Sequence, residues 1–96
     1  MVIYKYRIEV GENKCLSYQN SKVLSIGLDP AGDICVWVAV DPSSGPKQLR
    51  FMCIGTGWEI PAIKPITFIG TVKQDIYIWH VFQIMEEEDY NYASER

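Results

Sequence analysis

The chain has 96 residues, which is enough for one domain with a single modest hydrophobic core. A hydrophobic content of 48% argues against intrinsic disorder, and no apolar run approaches the ~20 residues that a membrane span needs. Five of the twelve acidic residues lie in residues 86–96, so the rest of the chain is nearly neutral. The composition therefore predicts no binding to duplex nucleic acid and no insertion into a membrane.

The three cysteines, Cys15, Cys35 and Cys53, cannot all pair with one another. Because the N-terminus lacks the pattern of a signal peptide, we expect a cytoplasmic protein with reduced thiols. Three cysteines and the single His80 equal the ligand number of a Cys₃His zinc site. Their wide spacing, without a Cys-x-x-Cys pair, instead favours packed thiols and predicts no metal or other cofactor.

Alternation of apolar and polar residues recurs along the chain and predicts short β-strands. The segments that show it, or that are apolar throughout, are 2–10, 15–18, 23–28, 34–40, 48–54, 66–72 and 76–84. No segment of helical length repeats its apolar residues every 3.6 positions. Tyr4, Tyr6 and Trp37 are predicted to lie in the core.

The turn signals connect several of these strands as neighbours. Residues 29–33, Asp-Pro-Ala-Gly-Asp, suit a tight turn, so 23–28 and 34–40 are predicted to form a hairpin. The loop at residues 41–46 then leads into 48–54. Three consecutive strands joined by short turns predict an antiparallel meander.

The fold class follows from the strands and from the prolines. Pro61 and Pro65 exclude a central strand or a long helix between them. We predict an all-β domain over residues 1–85, an antiparallel meander of six to seven short strands that forms a small sandwich or barrel. Residues 86–96 are predicted to be an acidic, mobile C-terminal tail.

A series of short motifs runs in order along residues 3–82. The series comprises Ile3-Tyr4-Lys5-Tyr6, Val23-Leu24-Ser25-Ile26, Cys35-Val36-Trp37, Val40-Asp41-Pro42, Arg50-Phe51, Gly55-Thr56-Gly57, Phe68-Ile69-Gly70-Thr71-Val72 and Tyr77-Ile78-Trp79-His80-Val81-Phe82. With this series the chain resembles a family of small uncharacterised proteins of tailed bacteriophages and prophages, a domain of unknown function. In that family a histidine often follows Gly-Thr-Gly, whereas Trp58 stands there in this chain.

The resemblance implies a phage origin and the cytoplasm of an infected bacterium as the setting. It implies no reaction. Phage proteins of this size often bind and block host machinery, including antiviral systems, and this is an analogy with a class of proteins.

The segment from Arg50 to Trp58 is the strongest candidate for a site. Gly55, Thr56 and Gly57 have the composition of a loop whose backbone N–H groups hold an anion, to which Arg50 would add charge. Trp58 would stack on a nucleobase or another planar group. The alternative is a tight turn that needs a positive φ, with Trp58 closing the core.

Trp79 and His80 are adjacent in a predicted strand, so their side chains point to opposite faces. His80 is either a hydrogen-bonded core residue among aliphatic side chains or a residue that contacts a ligand. Trp79 shares its face with Tyr77 and Val81. Because three tryptophans and six tyrosines exceed the needs of a small core, we expect some to be exposed at an interface.

The sequence favours a binding protein over an enzyme. His80 is the only histidine, and no Gly-x-Ser-x-Gly elbow accompanies it. The first hypothesis is a phage accessory protein that inhibits a host antiviral component, by binding a host protein or by sequestering a nucleotide signal. The alternative is a structural or assembly protein that forms homo-oligomers. The acidic run from Glu86 is either a solvated terminus or a mimic of a phosphate backbone.

Overall fold

The computed structural model describes residues 1–61 and 65–85, which are folded almost entirely into β-strands. The strands in these ranges are β1 Val2–Arg7, β2 Gly11–Tyr18, β3 Ser21–Leu28, β4 Ile34–Val40, β5 Pro46–Gly55, β6 Ile66–Gln74 and β7 Tyr77–Ile84. A single 3₁₀ turn in the described part of the chain, Pro42–Ser44, precedes β5. No helix in these ranges is long and apolar enough to span a membrane.

The strands form two antiparallel sheets that pack as a sandwich. The three-stranded sheet has the order β1-β4-β3, and the four-stranded sheet has the order β2-β5-β7-β6. The edge strands β3 and β6 of the two sheets contact one another. The predicted all-β antiparallel fold is confirmed, and of the two predicted architectures the protein adopts the sandwich.

The core lies between the facing surfaces of the sheets. Its central side chains come from β4, β5 and β7, the strands that have a neighbour on both sides. The fully buried members are Val36, Val38, Val40, Phe51, Cys53 and Val81. The alternation of these residues along their strands directs one face of each sheet inward, as the sequence pattern predicts.

The predicted aromatic core residues have different positions. Tyr6 packs against the core and donates a hydrogen bond to the buried Ser17 hydroxyl, with 2.8 Å between the oxygens. Tyr4 lies on the edge strand β1 and is 39% exposed, so its prediction as a core residue was wrong. Trp37 pairs with Lys5 and Ser25, and therefore lies on the outer face, opposite its buried neighbours in β4. The prediction was wrong for Trp37 because an apolar central strand does not reveal which face is inward.

The pairing of the third meander strand also differs from the prediction. β3 and β4 form the predicted hairpin, but β5 joins the other sheet and pairs with β2 and β7. The chain passes from one sheet to the other between β4 and β5, through the 3₁₀ turn Pro42–Ser44. Asp41 caps this turn, and its carboxylate accepts hydrogen bonds from both the N–H and the hydroxyl of Ser43. This arrangement stacks Phe51 against the valines of β4, whereas a single sheet would leave both sets of side chains exposed on one side.

The strand β2 begins earlier than predicted. Residues 11–14 were interpreted as a break, but Gly11 is the first residue of the strand. Gly11 has a φ of +97° and lets the chain reverse after Val10. The Asn13 side chain closes this turn by hydrogen bonds to the N–H and the carbonyl of Glu9, both at 2.8 Å.

The three thiols are buried or partly buried and are expected to be unreactive. Cys35 and Cys53 are buried, and Cys15 is partly buried against the core. Burial raises the pKa of all three thiols, and that of Cys53 to about 11. These cysteines are therefore protonated near neutral pH and pack as small apolar side chains.

Asp29 connects the β3–β4 hairpin to the edge strand β1. Its carboxylate accepts hydrogen bonds from the Lys5 ammonium at 2.9 Å and from the N–H groups of Ala31 and Asp33 at 3.0 Å. The hydrogen bond from Lys5 and the backbone donors lower the pKa of Asp29 from its ordinary value to about 2. The ionised carboxylate therefore stabilises the turn and anchors β1.

We expect the stability contributed by Asp29 to be lost in acid. Because its folded pKa is depressed, the contribution is complete above the unfolded value near 3.8 and falls as pH decreases towards about 2. Asp29→Asn should melt at a lower temperature than the wild type at pH 6, and the difference should narrow between about pH 4 and pH 2. Thermal melts across this range test it. Glu59→Gln controls for net charge, and a difference that does not change with pH would contradict the prediction.

Candidate functional site

A tight turn directly follows β5. The N–H of Trp58 donates to the carbonyl of Gly55 at 3.2 Å, which closes the turn over four residues. Gly57 has a φ of +89°, a conformation that L side chains rarely adopt. The Gly-Thr-Gly element therefore forms the glycine-dependent turn that was one of its two interpretations.

Trp58 belongs to a row of three aromatic rings at this end of the sandwich. Its ring lies edge-to-face with that of Trp79, with 5.7 Å between the ring centroids. The Tyr77 ring stacks on that of Trp79, with 5.6 Å between the centroids. Trp79 is only 8% exposed, whereas Trp58 and Tyr77 are 53% and 55% exposed. Ile76, at the β6–β7 turn, is 88% exposed. We call Trp58, Tyr77 and Trp79 the aromatic tip.

Polar contacts and a glycine hold the aromatic tip in place. The indole N–H of Trp79 donates to the side-chain oxygen of Gln74 at 3.0 Å. The Gln74 amide in turn donates to the carbonyl of Gly32, in the β3–β4 turn of the other sheet, at 2.9 Å. A Cβ at Gly55 would lie 3.0 Å from the Trp58 ring, a tight contact, so any larger residue there would require the ring to move by a few tenths of an ångström. The tip is therefore built on a fixed base.

His80 lies on the opposite face of the same strand, on the outer face of the four-stranded sheet. Its Nε2 is hydrogen-bonded to the Thr56 hydroxyl at 2.8 Å, and its Nδ1 to the Thr71 hydroxyl at 3.1 Å. His80 is partly buried and Thr56 is exposed. We call Thr56, Thr71 and His80 the hydroxyl–histidine cluster. His80 is thus a hydrogen-bonded residue, but it lies outside the core between the sheets.

The turn divides the predicted site between two faces. Thr56 reaches His80 on the outer face, while Trp58 folds against Trp79 on the inner face. Arg50 is on neither part, because its guanidinium pairs with Glu12 on β2, whereas His80 lies on β7, on the other side of β5. The structure brings the predicted residues together in two pairs and leaves Arg50 away from the turn.

Three residues of the site were not predicted as members. Thr71, Gln74 and Tyr77 contact His80 and Trp79 directly. Tyr77 had a signal in the sequence, because strand alternation places it on the face of Trp79. Thr71 and Gln74 had none, because their contacts depend on how β6 pairs with β7.

A shallow cleft adjoins the aromatic tip at Gln74. It has a volume of about 210 Å³, and Ile8 and Ile34 form part of its lining. Its charged residues are Arg7, Glu9 and Asp33, with Arg7 nitrogens 3.9 Å and 4.0 Å from oxygens of the two carboxylates. The cleft is therefore of mixed charge, and the guanidinium of Arg7 faces the two carboxylates.

Two other predictions concern metals and the tail. In the described parts of the chain, no three His, Cys, Asp or Glu side chains are grouped as metal ligands. Cys53 lies in the core, whereas His80 lies on the outer face, so these two do not share a site. The predicted acidic tail at residues 86–96 lies outside the described residues.

Comparison with known families matches residues 1–91 to a domain of unknown function (DUF7352). The chain belongs to the DUF7352 family. No curated protein and no solved structure matches the chain.

Proposed function

We propose that this DUF7352 protein is a small, non-enzymatic binding protein that docks on a partner protein through the aromatic tip. The observation that carries the proposal is the exposure of the tip: Trp58 and Tyr77 each expose more than half of their surface, and both rings contact Trp79. Exposed tryptophan and tyrosine are costly in water and are the residue types that contribute most to protein interfaces.

The rigidity of the tip also supports this proposal. Trp79 connects the exposed rings, and Gln74 fixes Trp79 to the opposite sheet. Association costs less side-chain entropy when the rings at the interface are already ordered than when binding has to order them. The tip therefore has the composition and the order of a binding surface.

The neighbouring cleft favours a protein over a nucleotide as the partner. Its volume of about 210 Å³ is below the ~300–1,000 Å³ typical of pockets for small ligands. Arg7 faces Glu9 and Asp33, which weaken its attraction for a phosphate. Exposed aromatic rings beside a cleft of mixed charge suit a hydrophobic pocket on another protein.

The partner that we propose is a bacterial host protein, and specifically a component of an antiviral system. Support for this step comes from the resemblance of residues 3–82 to phage and prophage proteins. The host cytoplasm is the setting that we propose for the interaction. The protein would then inhibit its target by occupying a surface that the target needs.

The proposal is tested by affinity capture from lysates of bacteria that carry antiviral systems. The wild type is compared with the double variant Trp58→Ala and Tyr77→Ala, and with Phe68→Ala as a control. Phe68 is as exposed, at 56%, but lies at the other end of the four-stranded sheet. We expect a host protein that the wild type and the control capture. With that partner purified, the double variant should bind at least about 30-fold more weakly, which corresponds to ~2 kcal/mol.

Two results would contradict the proposal. One is a captured partner that binds the double variant as tightly as the wild type. The other is a stable homo-oligomer in light scattering that the double variant abolishes, which would favour the alternative assembly function. A plaque assay on cells with and without the antiviral component then tests inhibition directly, and equal plating on both would argue against an inhibitory role.

A further inference from the structure

We propose that Thr56 is a site of covalent modification, a hydroxyl that His80 activates to accept an acyl group from an activated ester or a thioester. The hydroxyl–histidine cluster lies on the outer face of the four-stranded sheet, whereas Trp79 of the aromatic tip faces inward. The inference is therefore independent of the proposed binding function.

The geometry of the cluster is that of a nucleophile, a base and an orienting group. The Thr56 hydroxyl lies 2.8 Å from Nε2 of His80, within the range over which a base accepts a proton from an attacking hydroxyl. The Thr71 hydroxyl lies 3.1 Å from Nδ1 and fixes the imidazole ring from the other side. In the tautomer with its proton on Nδ1, the ring donates to Thr71 and accepts from Thr56.

Solvent access together with a histidine contact distinguishes Thr56 from Ser17 and Ser43. Thr56 is exposed and is flanked by two glycines, so no neighbouring side chain in the sequence hinders the approach of an acyl donor. Ser17, in contrast, is 1% exposed, and its hydroxyl accepts a hydrogen bond from Tyr6. The hydroxyl of Ser43 donates to the carboxylate of Asp41, in a turn without a histidine.

The reaction balances without a cofactor. The Thr56 oxygen attacks the carbonyl carbon of the donor, and its proton passes to Nε2 of His80. The bond from that carbon to the leaving alkoxide or thiolate breaks, and the leaving group or solvent takes the proton back from His80. The product is an acyl ester of Thr56 and the free alcohol or thiol, with no change of oxidation state.

Acetylation by p-nitrophenyl acetate tests the proposal. Release of p-nitrophenolate gives the rate, and peptide mapping by mass spectrometry locates the acetyl group. We expect acetyl-Thr56 in the wild type and in Thr67→Val, an exposed threonine on β6 that serves as the control. Thr56→Val and His80→Gln should slow the initial release of p-nitrophenolate at least about tenfold. The reason is that general-base assistance contributes ~10²–10⁴-fold to such a rate.

Thr71 is a positioning residue, and its variants separate this role from a merely structural one. Thr71→Val should slow acetylation of Thr56, and Thr71→Ser, which restores the hydroxyl, should recover it. Thermal melts check that each variant is folded. Acetyl groups found on lysines or on His80 but not on Thr56 would overturn the proposal, as would an unchanged rate in folded His80→Gln.

Discussion

Phe51→Ala is expected to destabilise the protein by about 3–5 kcal/mol, one of the two largest effects that we predict for a single substitution. Phe51 is fully buried and is the largest side chain at the centre of the sandwich. Its removal leaves a cavity between the sheets, because the valines of β4 are held by their own strand and fill the space only in part. For a domain of this size the total stability is of order 5–15 kcal/mol, so the loss is a large share of it.

Unfolding in urea, followed by circular dichroism, measures this loss. Phe68→Ala provides a matched control, because it removes the same atoms from a side chain that is 56% exposed. The centroids of the Phe68 and Phe82 rings are 5.4 Å apart. We therefore expect Phe68→Ala to lower the free energy of unfolding by only about 1 kcal/mol. Equal losses in the two variants would show that the inner faces of the sheets do not form the main core.

The second large effect is expected for Trp79→Ala, also at about 3–5 kcal/mol. Trp79 is buried in the core and supports both exposed rings of the aromatic tip. Without it, Gln74 loses its donor, and Trp58 and Tyr77 lose the ring that both contact. We therefore expect lower stability together with a weaker near-ultraviolet circular dichroism signal.

Trp79→Phe separates packing from the hydrogen bond. Phenylalanine keeps a ring between Trp58 and Tyr77 but has no N–H to donate to Gln74. We expect a loss of about 1–2 kcal/mol, less than for alanine, with most of the near-ultraviolet signal retained. Urea unfolding of both variants makes the comparison. A loss below about 1 kcal/mol for Trp79→Ala would contradict the role that we assign to this residue.

The alternation of residues in the sequence predicted the strands well. Ile34–Val40 has the predicted bounds, and its hairpin with β3 forms as the turn at 29–33 indicates. These features are predictable because they depend on neighbours in the chain: strand periodicity, proline and glycine in a turn, and one apolar face. The opposite orientation of Trp79 and His80 is equally local, since adjacent residues of a strand always diverge.

The partners of these two residues depended on the tertiary structure. A bulge between Phe68 and Gly70 shifts the register of β6 against β7 by one residue. Beyond the bulge Thr71 lies opposite His80, a position that Gly70 would hold in a regular ladder. The hydroxyl–histidine cluster therefore depends on a backbone irregularity that the sequence does not indicate.

A small antiparallel β domain with a Gly-Thr-Gly element beside a tryptophan was predictable from the residues alone. Four features depended on long-range packing: that this element is a turn, which strands share a sheet, that Trp37 lies outside the core, and that the predicted site is divided between two faces. The physical reason is the range of the forces involved. Backbone preferences act between neighbours in the chain, whereas strand order and register follow from burying two apolar faces against each other.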